Sequence, residues 1–316
     1  MTGSLFDPSP GFDRAGLALR LEGLAREGEF VGTSSWKYEG WLDQIYTRSN
    51  YLTRGRFSKR GFEAECLREY AAVFPTVCGD FAFYQFPLPE FWARLFAQAP
   101  PGFRFAFKIP EQITCKVFPE HPRYGAQGGR ENPSFLDAGL LRESFLQPLQ
   151  PYAERIGPLI FEFGAFPRGA LAGLDEFLAA LDPFLASLPP GMRYAVEVRN
   201  PEFLRYDYFD CLRARGVAHV FNAWARMPEL GRQLAMPGSA TADFSVCRAL
   251  LRRGRPYEEA VRVFSPYTEV RDENPEVRES LRELIRRGRE ARQEAYIYVN
   301  NRLEGNAPAT ILAVTR

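Results

Sequence analysis

The sequence predicts a TIM-type (β/α)8 barrel, an α/β fold of eight parallel strands with surrounding helices, on three observations. Eight short β-rich runs return along 316 residues. Stretches with apolar residues at helical spacing separate them, which argues for parallel strands joined by crossover helices. The first run leads into Val31-Gly32-Thr33-Ser34-Ser35-Trp36. It holds one glycine, where a doubly wound open sheet more often carries a glycine-rich phosphate turn.

Residues 1–28 read as an N-terminal extension with an amphipathic helix near 13–26, and residues 29–316 as one barrel domain without a dividing linker. Strands are expected at 30–34, 76–80, 104–109, 159–163, 194–199, 218–222, 260–264 and 296–300, each rich in β-branched or aromatic residues. Helical spacing marks 62–74, 90–97, 136–152, 171–188, 202–214 and 277–292. Segment 115–134, with His121-Pro122, Gly125, Gly128, Gly129 and Pro133, predicts an exposed, mobile loop. Segment 223–240 reads as a second irregular insertion.

Side chains alternate along a strand, so parity separates the barrel interior from the helix layer. Val196 and Val198 suit the helix layer, which turns Glu197 and Arg199 inward. Ile297 and Val299 face out, so Tyr298 and Asn300 face in. The same logic points Arg104 and Lys108 inward from the third run, Glu162 from the fourth and Arg262 from the seventh. Ser34 and Asp80 end their runs with matching parity. These polar positions gather toward the C-terminal mouth, where barrel enzymes place their chemistry. A layer of paired charges plugging the barrel is the competing explanation, because buried charges must pair.

Gly32-Thr33-Ser34-Ser35-Trp36-Lys37-Tyr38, followed by Trp41 and Tyr46, resembles the opening motif of the YecE-like family, the domain of unknown function number seventy-two. Further similar blocks follow in order: Tyr70-Ala71 and Phe74 leading to Phe83-Tyr84 and Pro87, and Phe105-Ala106-Phe107-Lys108 with Ile113-Thr114. Then come Gly157-Pro158-Leu159, Ala195-Val196-Glu197-Val198-Arg199 with Pro201, and Val299-Asn300-Asn301 with Gly305, Ala307 and Pro308. The resemblance spans about residues 30–312 and implies a TIM-type barrel, but no reaction. The chain departs from the family pattern at Cys78 and Asp80 (usually Glu and Asn), Cys115 (usually His), Glu162 (usually Gln) and Gly164-Ala165 (usually two Pro). It departs again at Asn200 (usually His) and in the seventh-strand block, read as Arg262 with Phe264. It is a divergent member by this reading.

General acid–base chemistry on a small anionic or polyhydroxylated molecule is the economical reading of the inward residues. Glu197 is the favoured proton-transfer group, with Lys108 beside it, because a carboxylate in a barrel can have its pKa raised toward neutrality. Arg199 and Lys108 would bind an anionic group. Ser34, Asp80, Glu162, Arg262, Asn300 and Asn301 complete the expected ligand contacts. Trp36, Tyr38 and Tyr84 would wall the mouth, although packing of the long first loop explains the same aromatics. Asn306 and Pro308 open a last helix, and helix N-termini near the last two strands of such barrels often hold phosphate; a plain helix cap accounts for both residues as well.

Other chemistries find less support. Two histidines, His121 and His219, and five cysteines without CxxC spacing do not make a usual zinc set. Asp80, Glu162 and Glu197 are accompanied by Lys108, Arg199 and Arg262, which repel a cation; no metal or cofactor is predicted. No Gly-x-Ser-x-Gly elbow appears, and a lysine among carboxylates is hard to deprotonate for Schiff-base chemistry. The net charge of +1 gives no global field for nucleic acid. Local basic clusters at Arg48, Arg54, Arg56, Lys59, Arg60 and at 252–255, with Tyr46, Tyr51 and Phe57 interleaved, keep nucleic-acid binding as the alternative. An inactive barrel scaffold is the third reading. The scattered cysteines and the lack of a run of about 18 apolar residues predict a cytoplasmic protein without membrane spans. Oligomeric state is left open.

Overall fold

The computed structural model describes residues 11–167 and 169–316. Among them eight parallel strands close a barrel: β1 (Glu29–Thr33), β2 (Thr76–Gly79), β3 (Arg104–Lys108), β4 (Ile156–Phe163), β5 (Tyr194–Val198), β6 (Ala218–Ala223), β7 (Phe244–Ala249) and β8 (Glu294–Val299). Each pairs with its sequence neighbours. The ring closes through β8 beside β1, with Phe30 opposite Tyr296, and through Thr33 of β1 opposite Val77 of β2. Gly32 permits this closure, since a Cβ there would lie 2.0 Å from the Thr76 carbonyl oxygen.

The helix layer is α1 (Arg14–Arg26), α2 (Lys59–Ala71), α3 (Pro89–Phe96), α4 (Leu174–Ala186), α5 (Tyr206–Ala214), α6 (Tyr257–Phe264), α7 (Pro275–Ala291) and α8 (Ala307–Val314), with shorter turns between. Asp13 caps α1 by accepting the Gly16 N–H at 2.8 Å, and Leu17 and Leu21 fix the helix on the core. The outward strand residues Phe105, Phe107, Val196, Val198, Ile297 and Val299 join the large core under the helices. The barrel interior alternates large and small side chains, with Phe30, Tyr296 and Tyr298 against Cys78, Ala106, Ala195 and Ala218. Fully buried aromatics such as Trp92 and Phe105 contribute roughly 1.5–3 kcal/mol each.

One strand is not where the sequence placed it. Residues 260–264 lie in α6, and β7 is Phe244–Ala249. Val261 and Val263 imitate strand alternation, but the buried pair is Ala260 and Phe264, four apart, which is helical spacing. Glu258 and Glu259 in the first turn favour the same end of a helix. Arg262 is therefore an exposed residue of α6 and not an inward-facing strand residue. The departure read at Arg262 and Phe264 falls with that assignment.

The two irregular segments are both tied down. Residues 115–134 are mostly exposed, but buried Asn132 donates from Nδ2 to the Gln112 and Cys115 carbonyls at 2.7 Å each. In 223–240 a short helix, Leu230–Leu234, carries buried Gln233, which exchanges two hydrogen bonds with the Asn222 backbone.

Candidate functional site

Strand register assembles the charges. β4 and β5 set Glu162 beside Glu197, while β6, β7 and β8 put Asn222, Arg248 and Tyr298 at one level. Arg248 Nη1 donates to Glu162 and to Glu197. Arg199 Nη2 lies 2.6 Å from Glu197 Oε1 and 3.3 Å from Glu162 Oε2. Lys108 Nζ is 3.2 Å from Glu162 and 3.8 Å from Asp80, and Arg248 Nη2 is 3.7 Å from Asp80. Glu197 and Arg248 form the sealed floor, at 0% and 2% exposure, and Asp80 is half-exposed at the rim. Three carboxylates meet three cations, so the layer is neutral as a whole.

The electrostatics follow from that crowding. Burial alone would raise the Glu162 carboxyl, but Lys108, Arg199 and Arg248 outweigh it and hold it well below the usual carboxylate range. Burial opposes the Arg248 charge, and Glu197 and Glu162 more than restore it. Glu162 is thus a fixed anion at neutral pH. Arg199 is not used up by its partners. Its Nε and Nη1 are buried without a hydrogen-bond partner, and its guanidinium lies 4.0 Å from the centre of the Trp224 ring.

The other expected residues have varied places. Ser34 accepts from Asn300 Nδ2 at 2.6 Å, and Asn300 Oδ1 caps the turn after β8 by accepting from the Arg302 N–H. Asn301 is buried as a brace, its Oδ1 accepting from Trp41 Nε1 at 3.2 Å and from the Ala307 N–H at 2.8 Å. Trp36 is buried edge-on to Phe81. Tyr38 packs on Trp41 and Tyr267, and burial pushes its phenol up to about 12. Tyr84 is exposed, with the Arg123 guanidinium 3.9 Å over its ring. Asn306 caps α8 by accepting from the Ala309 N–H, and its Nδ2 donates to Gln44 and the Tyr267 carbonyl. Of the two histidines, His219 is buried beside Tyr208, 3.2 Å from its hydroxyl, and His121 is exposed.

Three residues that sequence reasoning passed over belong to the same site. Arg248 stands in place of Arg262; its signal was the inward parity of Phe244, Val246 and Arg248. Trp224 directly follows β6. Glu111 begins the helical turn after β3 and lines two neighbouring cavities, of about 280 and 400 Å³, the smaller of which also reaches Glu162.

Among the described residues no group of three or more His, Cys, Asp or Glu is placed to hold a metal ion. Asp80, Glu162 and Glu197 are separated by the guanidinium and ammonium groups they bind. In the basic clusters Arg48 pairs with Asp43, Lys59 with Glu39 and Glu63, and Arg252 and Arg255 with Asp272. Tyr46 and Tyr51 are buried, so they present no stacking face. Among the described residues no helix is long and apolar enough to cross a membrane.

A family model described as "Protein of unknown function DUF72" matches residues 30–316. No curated protein is significantly similar to the chain. Among solved structures, a DUF72 family protein from Enterococcus faecalis superposes with a TM-score of 0.61 at 17% identity, over 90% of this chain and 95% of that one. Another, from Thermotoga maritima, gives a TM-score of 0.59 at 20% identity, over 90% and 97%.

Proposed function

The chain belongs to the DUF72 family, and from that membership, which brings a barrel and no reaction, we propose that its C-terminal mouth binds a small anionic or polyhydroxylated molecule and acts on it by carboxylate acid–base chemistry. The observation that carries this reading is Arg199. A buried guanidinium with two unpartnered donors costs about 1–3 kcal/mol per unsatisfied group, and an anionic oxygen that reaches either donor recovers part of that cost. A charge layer serving only as a plug gains nothing from leaving those donors free. Lys108 adds cationic charge beside Glu162, and its ammonium sits 3.5 Å from the centre of the Phe83 ring. Glu197, closed in by Arg199 and Arg248, serves as the anchor that orients both guanidinium groups.

Nucleic-acid binding is favoured less, because Arg48 and Lys59 of the first loop are paired and its aromatics Tyr46 and Tyr51 are buried. Thermal denaturation against glucose 6-phosphate, gluconate and glucose tests the proposal. The anionic compounds should raise the melting temperature of the wild type. The Arg199→Lys variant, which keeps the charge but loses the fixed Nε and Nη1 donors, should lose most of that rise. No stabilisation by either anion, or an equal response in the variant, contradicts the reading.

A further inference from the structure

Glu111 and Phe83 belong to the walls of both rim cavities. The smaller one brings Glu111 together with Glu162, Cys115, Lys116 and Phe166. Glu111 accepts the phenol O–H of Tyr124, which reaches over from the 115–134 segment. The charged and titratable groups around it are Lys108 on β3, Glu162 on β4, and Cys115, Arg123 and Tyr124 on the loop. Burial dominates and raises the Glu111 carboxyl, Lys108 and Arg123 pull it down, and Glu162 pushes it up again. The neighbouring Cys115 thiol is pushed up to about 12 by burial, which leaves it protonated and inert. One cavity thus holds two carboxyl groups whose surroundings drive them in opposite directions, Glu162 down and Glu111 up. Such pairs divide the labour of acid and fixed anion.

We propose that Glu111 is the proton donor of the mouth, that Glu162 is the permanent anion of the same cavity, and that the pair accepts the hydroxylated part of the ligand. This rests on the reading of the mouth as a small-molecule site. In the transfer the Glu111 O–H bond breaks as an O–H bond forms on a ligand oxygen that takes up negative charge in the reaction. The carboxylate left behind is held by the Tyr124 O–H and by the charges of Lys108 and Arg123. Phe166, half-buried in the same cavity, offers an apolar wall to that part of the ligand. Tyr124 links the seat of the loop to the same carboxyl.

The test uses the full-length chain labelled with carboxyl-13C glutamate, titrated by NMR as wild type, Glu111→Gln and Tyr124→Phe. One carboxyl midpoint should lie above the ordinary glutamate range, vanish in Glu111→Gln and move further up in Tyr124→Phe. A Glu111 midpoint within or below the ordinary range overturns the proposal. Thermal stabilisation by glucose 6-phosphate is then read over the same pH range. As pH rises through that midpoint the wild-type response should fall relative to that of Glu111→Gln, the ionisation of the phosphate being common to both. A wild-type response that does not fall relative to the variant's across the midpoint overturns the donor role while leaving the anion-binding reading intact. Failure of glucose 6-phosphate to stabilise the wild type at any pH overturns the anion-binding reading and the donor role together, whatever the Glu111 midpoint.

Discussion

Arg248 covers Glu197 at the floor of the barrel mouth, and the two are the most deeply buried members of the charged layer. Without Arg248, Glu197 keeps only Arg199 and the layer is left with one carboxylate in excess. Replacing Arg248 with Met should therefore cost about 3–5 kcal/mol in chemical denaturation, the penalty for stranding a buried partner. Arg262→Ala, on the outer side of α6, should stay within about 0.5 kcal/mol. Equal effects of the two substitutions would contradict the placement of β7.

The outer face of β1 supplies a second prediction. Glu29 is fully buried, both its oxygens lack partners, and Gly288 of α7 lies so close that a Cβ there would sit 2.2 Å from Oε1. Burial raises its pKa to about 8, Arg289 opposing and Glu27 adding to the rise. The unfolded chain ionises this group near its ordinary value of 4.5 while the folded chain keeps it protonated. Its contribution is full below about 4.5 and is lost as pH rises toward 8, with a limiting slope of about 1.4 kcal/mol per pH unit. Glu29→Gln should flatten that decline in urea denaturation followed between pH 5 and 8. A decline as steep as that of the wild type would refute the assignment.

His219 gives the opposite sign on the acid side. Burial lowers its pKa from 6.5 to about 3, so it stays neutral in the fold while the unfolded chain takes up a proton. Its contribution is present above about 6.5 and is lost as pH falls toward 3. His219→Gln should be less sensitive to acid than the wild type in thermal denaturation over that interval. Unchanged acid sensitivity would show that other groups set the limb.

The exposed 115–134 segment is predicted to be the first point of tryptic cleavage, at Arg123 or Arg130. Asn132→Ala removes the two bonds that close its base and should speed that cut several-fold. Primary tryptic cleavage in α2 or α7 instead, with this segment intact, would contradict the prediction.

The barrel was legible because Phe105 with Phe107, Val196 with Val198, and Ile297 with Val299 leave one reading of their strands' parity. That same parity placed Lys108, Glu162, Glu197 and Arg199 in one layer. β7 was hidden because its outward residues, Ser245, Cys247 and Ala249, are small or weakly apolar, whereas Val261 and Val263 looked more strand-like from within a helix. Glu111 was illegible for a different reason. Parity governs residues within strands, and Glu111 lies just past β3, where the fold of a distant loop residue, Tyr124, decides what it faces. Asn301 shares a motif with Asn300, but the chain turns between them, so one meets Ser34 and the other braces Trp41.

The most direct measurement is a crystal structure of the protein soaked with glucose 6-phosphate. Density is expected at the mouth above Glu162, with a phosphate oxygen within hydrogen-bond distance of Arg199 Nε or Nη1. Density only outside the barrel, or a charged layer that stays closed to the sugar phosphate at saturating concentration, would contradict the binding mouth and leave the six side chains as a plug.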